Sequence, residues 1–337
     1  MTPVPEYHGI DRARFEAEIV PAARPAILRG LVADWPAVEA GRESVDGFAA
    51  YLRGQANNAA GEAWFGDPAI AGRFDFDAEL AGFNHDRKLA TVDQLLDLLL
   101  RQRGSAEPWG IYAGALPLAK HLPGFAAANP MPLLDADRHM LTSLWLGNRT
   151  KTAAHWDLPQ NLACVVLGRR KFTLFPPDQI ANLYIGPLEM TPAGAPVSMV
   201  DPDAPDLARY PRFAQALEAA QTAELAPGDA LYIPYFWWHA VRSLDPLSVL
   251  VNYWWSDVRE DVPFVDALLH AILSTRDLPP ARRAIWKSLF DALVFQSEGD
   301  PVAHLPEQVR GVFGTLTPAQ RRELSAHLAQ SLARNHQ

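Results

Sequence analysis

At 337 residues, 49% of them apolar and 20% charged, the chain can bury a large core and is too apolar to be disordered. A formal net charge of -9, with no Lys/Arg run longer than three, argues against a nucleic-acid backbone as partner. The one cysteine, Cys164, excludes an intramolecular disulfide and a cysteine-based zinc site; in the apolar run 162–167 it reads as a small buried hydrophobe.

The N-terminal segment MTPVPEYHGIDRARFEAEIV lacks the basic start and apolar stretch of a secretory leader. No apolar run reaches membrane-spanning length, so a cytoplasmic location is expected. Residues 1–60 mix short helical patterns with one strand, Ala26 to Arg29, ahead of Gly30. Between 61 and 130 the clearest element is an amphipathic helix over Thr91 to Leu100.

The centre changes character. Leu141 to Leu146, Asn161 to Leu167 and Lys171 to Phe175 are short runs of apolar and β-branched residues, the last two flanking Gly168. Pro176 and Pro177 end the third run, and residues 178–222 read as a long excursion with helical pieces. The turn Ala226-Pro227-Gly228-Asp229 introduces a strand at Ala230 to Ile233, and another follows at Leu247 to Trp254. This spacing predicts a mainly β fold, a barrel or jelly roll with a long insert. Beyond residue 258 the strands stop. Val262 to Leu273, Pro280 to Val294 and Thr317 to Ala333 have helical patterns, with Thr317 and Gln320 spaced as a capping box.

His155 and Asp157 form His-x-Asp at the start of an expected extended segment, where alternation would place both on one face. Such pairs are common and alone say little. A third ligand would have to come from elsewhere. His239, after the Pro227-Gly228-Asp229 turn, a strand and a proline, is the best candidate among the remaining histidines. Two imidazoles and one carboxylate make a facial triad that leaves three positions open on a divalent metal. A bidentate oxoacid fills two of them and O2 the third. His8, His327 and His336 lie near the termini, and His270 and His304 lie in the helical tail, without comparable context.

Taken together, Thr152-Ala-Ala-His155-Trp-Asp157, Asn161, Gly168-Arg-Arg-Lys-Phe-Thr-Leu-Phe175-Pro-Pro177, Pro227-Gly228-Asp229 through His239, and Asn252-Tyr-Trp-Trp255 resemble the cupin-like JmjC family. The pattern is close to the asparaginyl hydroxylase that inhibits hypoxia-inducible factor. The resemblance covers roughly residues 20–258. It implies a double-stranded β-helix core, with Fe(II) held by His155, Asp157 and His239 and 2-oxoglutarate and O2 as cosubstrates. It further implies that Thr152, Asn161, Asn252 and, on looser spacing, Tyr112 contact the oxoacid. One departure stands out. The family's usual lysine two residues after the glycine is Arg170 here, followed by Lys171. Strand alternation lets only one of them point inward, and spacing favours Arg170; otherwise both are solvated surface charges.

The implied activity is hydroxylation of a protein side chain or a small molecule, coupled to conversion of 2-oxoglutarate to succinate and CO2. A catalytically silent metal-binding cupin that recognises a peptide or ligand is the alternative; it would bind metal without consuming oxoacid. Trp254 and Trp255 line the substrate mouth or pack in the core, and Tyr184 in the insert contacts substrate or packs. The domain organisation expected is an oxygenase domain over 1–258 and a helical region over 259–337. In that tail Val265, Leu268, Leu269 and Ile272 fall on one face, and Leu324, Leu328 and Leu332 on another. These faces cover the barrel or, as the resemblance implies, pair two copies into a homodimer.

Overall fold

The computed structural model describes residues 1–135, 140–188, 190–192, 194–256 and 264–334, with backbone only at 264 and 265. The expected helix start at Val262, the boundary at 258/259, the side chain of Val265 and His336 lie outside the described residues. The chain forms two compact units, Met1–Arg259 and Glu260–Gln337.

The first unit is mainly β. Its strands are β1 (Thr2–Pro3), β2 (Glu6–His8), β3 (Ala26–Arg29), β4 (Gly61–Gly66), β5 (Arg73–Phe74), β6 (Asp86–Ala90), β7 (Gly110–Pro117) and β8 (Met140–Gly147). They continue as β9 (Lys151–His155), β10 (Gln160–Leu167), β11 (Arg170–Phe175), β12 (Gln221–Leu225), β13 (Ala230–Ile233), β14 (Trp238–Ser243) and β15 (Ser248–Trp255). One sheet has the order β1-β12-β11-β14-β9-β5, and the other β2-β3-β13-β10-β15-β8-β7-β4-β6. From β8 to β15 the chain passes back and forth between the sheets. That winding is the double-stranded β-helix, and the jelly-roll expectation holds.

The apolar runs are explained by burial on both faces of the larger sheet. On β10, Ala163 and Val165 point into the barrel with Phe172, Leu174, Leu231 and Leu250. Leu162, Cys164 and Val166 point the other way, into a cluster with Phe48, Leu52, Leu95 and Leu99. Those partners sit on the helices Val45–Gln55 and Val92–Gln102. Thr91 caps the second helix reciprocally with Gln94. Cys164 is fully buried, as its setting suggested.

Among the strands that escaped the sequence reading are β12, β14 and β9. β12 carries a period-two signal, Ala223 and Leu225 inward and Thr222 and Glu224 away from the core, at the end of what read as an excursion. β14 and β9 mix polar and apolar residues because their outward faces form an ion-pair surface.

The second unit contains the helices Phe264–Thr275, Pro280–Leu293 and Pro318–Arg334. The capping box forms: Thr317 N–H donates to Gln320 Oε1, and Gln320 N–H to Thr317 Oγ1. Among its described residues only Val302 is a buried hydrophobe, while Leu268, Leu269, Ile285, Trp286, Leu328 and Leu332 are exposed. No helix among the described residues is long and apolar enough to cross a membrane.

Candidate active site

His155 and His239 face each other across the β9–β14 pair. The expected location of the His-x-Asp pair needs correction. His155 ends β9, and Asp157 lies beyond the strand. Alternation is therefore not what aligns them. Between them Trp156 turns away to pack on Phe236 and Trp238, and Phe236 N–H donates to the Asp157 carbonyl. That anchored turn brings the carboxylate back to the histidines. One ligand atom from each of the three residues lies within 4.8 Å of the others.

A second irregularity places Thr152. Residues three apart on a regular strand face opposite ways. Here His239 pairs with His155 and Val241 with Thr152, so β9 has one extra residue against β14. The bulge turns Thr152 and His155 to the same cavity.

The three groups suit a divalent metal. The Nδ1 of His155 lies 2.9 Å from the Ala153 carbonyl, and that of His239 3.0 Å from the Trp237 carbonyl. Both rings therefore carry the proton on Nδ1 and present the Nε2 lone pair, as a metal ligand must. Burial, with His155 alongside, pushes the His239 pKa down to about 4, so the ring stays neutral near pH 7. The Asp157 carboxylate accepts from Asn161 Nδ2 and Trp254 Nε1, each at 3.2 Å. Asn252 in turn donates its amide to Asn161 Oδ1. The two asparagines are thus chained to the ligand carboxylate and fix its orientation.

At the other end of the same cavity lies Arg170. In the small sheet Arg170, Phe172 and Leu174 stand opposite Ser243, Val241 and His239, sharing the inward face. Arg170 is 3% exposed. Its Nε donates to Ser248 Oγ at 3.0 Å and its Nη2 to the Trp145 carbonyl at 3.4 Å. Among the described residues no carboxylate pairs with it. Burial pulls its pKa down to about 10, partly offset by Tyr112. Tyr112 is 4% exposed and accepts a weak 3.5 Å contact from the Thr152 hydroxyl. Burial raises its phenol pKa, with Arg170 pulling the other way.

Lys171 points outward, 2.7 Å from Asp203, which also pairs with Arg242. Trp254 lines the cavity. Trp255 instead packs in the core against Phe15 and Tyr232. Tyr184 packs on Tyr210 and beneath Arg212, away from the cavity lining. The sequence reading missed Ser248, which holds Arg170, and Trp145, which stands opposite Leu250 in the cavity wall. Their signal was parity along β15 and β8. The cavity encloses about 360 Å³ including its mouth. A buried cation at one end and three converging metal donors at the other suit a small dianion that chelates a metal.

Residues 12–261 match a family model described as a cupin-like domain. The protein named Lysine-specific demethylase 8 in Danio rerio is 29% identical over 263 residues, covering 75% of this chain and 58% of that protein. Lysine-specific demethylase JMJ31 of Arabidopsis thaliana is 37% identical over 123 residues, 36% of this chain and 22% of its own. HSPB1-associated protein 1 of Homo sapiens is 34% identical over 152 residues, 42% and 30% respectively. The chain thus spans between 22% and 58% of the length of these relatives.

Proposed function

The chain belongs to the JmjC type of the cupin-like family, and from that premise we propose that it is an Fe(II)- and 2-oxoglutarate-dependent hydroxylase of a protein side chain or a small molecule. The observation that carries this reading is Arg170. A guanidinium buried with no carboxylate partner among the described residues calls for an anion from outside the chain. The cavity it lines ends at the three metal donors.

His155, Asp157 and His239 would hold the metal by their Nε2 atoms and carboxylate. Arg170, Thr152 and Tyr112 would hold the far carboxylate of 2-oxoglutarate, and the apolar walls Phe172, Val241 and Leu250 would flank its methylenes. Asn161 and Asn252 would keep the Asp157 carboxylate turned toward the metal. The bound metal supplies O2 activation coupled to oxoacid decarboxylation; the protein supplies ligand geometry, orientation and a shielded site. Relatives named as lysine-specific demethylases support a protein side chain as the substrate class.

Residues 1–258 would carry this chemistry, and 259–337 would pair two copies, since the tail's apolar helices are exposed. A reducing cytoplasm suits an Fe(II) enzyme with one buried, unoxidised thiol. The test is succinate production after anaerobic Fe(II) reconstitution, against a panel of peptides and metabolites. Asp157→Ala should abolish metal-dependent turnover while the melting curve stays cooperative. Full turnover in that variant, or metal binding with no oxoacid consumption by the wild type, would sink the reading.

A further inference from the structure

Four neighbouring strands of the larger sheet, in the order β15-β8-β7-β4, each contribute one oxidisable ring to the same face. Trp254 and Leu250 are four apart on β15, Leu250 stands opposite Trp145, Gly147 opposite Tyr112, and Tyr112 opposite Trp64. Ring centroids are 5.8 Å apart from Trp254 to Trp145, 5.8 Å from Trp145 to Tyr112, and 5.6 Å from Tyr112 to Trp64. One end is bonded to the metal site, through Trp254 Nε1 and Asp157. The other end lies on β4, beside the edge strand β6. Trp64 is 9% exposed and donates Nε1–H to Glu62 Oε1 at 3.0 Å, and the Glu62 side chain is 53% exposed.

We propose that this file of rings is an electron relay that discharges the metal site when oxoacid and O2 react with no substrate in place. The inference rests on the oxygenase reading. In such an abortive turnover one atom of O2 ends in succinate. The other leaves the site two electrons and two protons short of water. Each electron leaves the Trp254 ring and is replaced in turn from Trp145, Tyr112 and Trp64, so the deficit moves outward. Trp64 then loses its indole proton to Glu62. A thiol or ascorbate-class reductant in solution returns one electron and one proton to it. Two passes supply both electrons, solvent supplies the two protons, and water leaves.

Local chemistry sets the direction. Trp145 Nε1 has no hydrogen-bond partner among the described residues, so an oxidised ring there has no base to take its proton. Tyr112 faces the Thr152 hydroxyl and the Arg170 cation, and no carboxylate pairs with its hydroxyl among the described residues. Trp64 has a carboxylate on its N–H. The Arg87 guanidinium, 5.2 Å above the Trp64 ring, disfavours the charged radical; because Arg87 also pairs with Glu62 Oε1 at 3.5 Å, the proton Glu62 takes passes on to solvent. The deficit therefore settles at Trp64, whose carboxylate partner Glu62 reaches solvent.

The experiment incubates the full chain with Fe(II), 2-oxoglutarate and O2, without substrate. It quantifies succinate, maps added oxygen by peptide mass spectrometry, and records freeze-quench electron paramagnetic resonance. Expected are an indolyl radical signal and added oxygen at Trp64, both suppressed by ascorbate. Trp64→Phe, which keeps an apolar ring in place, should lose that signal. Its damage should move to Trp145, Trp254 and the metal ligands, and inactivation per succinate formed should rise severalfold. Succinate formation with wild-type damage confined to Trp254 and the metal ligands would overturn the relay alone. No succinate here but succinate with the peptide and metabolite panel would remove the abortive turnover and overturn the relay alone, whereas no succinate in either would overturn the oxygenase reading as well. Should the variant fail to fold, the wild-type map decides by itself.

Discussion

Arg170 is held where a guanidinium is expensive. It has surrendered most of its hydration, and its protein partners, a serine hydroxyl and a peptide carbonyl, are neutral. Its neighbour Lys171 has the opposite lot: an outward position and a surface carboxylate in Asp203. The two make a controlled pair of substitutions. Arg170→Ala removes a charge-assisted contact of roughly 1.5–3 kcal/mol, so the 2-oxoglutarate concentration at half-maximal rate should rise about 10- to 100-fold. Lys171→Ala removes one partner of a surface ion pair worth under about 1 kcal/mol and should leave that requirement nearly unchanged. Titrations of succinate formation against oxoacid decide between them. The reverse ranking would mean that the inward face had been assigned to the wrong parity.

That parity is enforced at the level of elements by the turn between β10 and β11. Gly168 sits at φ +69°, and a Cβ there would lie 2.6 Å from the Leu247 carbonyl oxygen. Arg169 is stapled outward to Asp245, through its own N–H at 2.8 Å and its guanidinium, so the next residue must face in. Gly168→Ala should therefore cost at least about 1–2 kcal/mol from the left-handed backbone alone, read as a lower urea midpoint. It should also raise the oxoacid requirement, because the turn carries Arg170. Here the sequence was legible: a glycine between two apolar runs marked the turn, alternation allowed one of Arg170 and Lys171 inward, and spacing from the glycine favoured Arg170. The strands β10, β13 and β15 were legible too, because burial on both faces writes a nearly continuous apolar run, and β11 was legible from its apolar, β-branched residues between Gly168 and Pro176. The bulge at Thr152 was not, since nothing in Thr152-Ala-Ala-His155 announces an extra residue. Nor was the Asp157 turn, which depends on Trp156 finding Phe236 and Trp238 much later in the chain. Asn161 and Asn252 were picked out as amides beside the oxoacid; the structure bonds them to each other and to Asp157.

For the whole molecule, the tail presents a surface that water should not tolerate alone. Leu268 and Leu269 on one helix, Ile285, Trp286 and Leu289 on the next, and Leu328 and Leu332 on the last are all exposed. The pairing of two copies proposed above would cover this apolar surface across a two-fold axis. Light scattering at micromolar concentration should therefore give twice the chain mass. Leu328→Asp should give monomers, since burying an unpaired charge costs on the order of several kcal/mol; a monomeric wild type would end the idea and leave the iron-site argument standing. The β9–β14 pairing has a consequence for the order in which the molecule is made. His155 and His239 meet only when a strand from late in the chain docks beside one laid down much earlier, across the whole excursion between them. Closing a loop that long is entropically slow, and no local contact rewards it beforehand. Until then a nascent chain offers metal only the His155 and Asp157 side chains, two ligands on a mobile segment. A metal ion would then find its third ligand only after β14 has docked, so the full ligand set follows barrel formation.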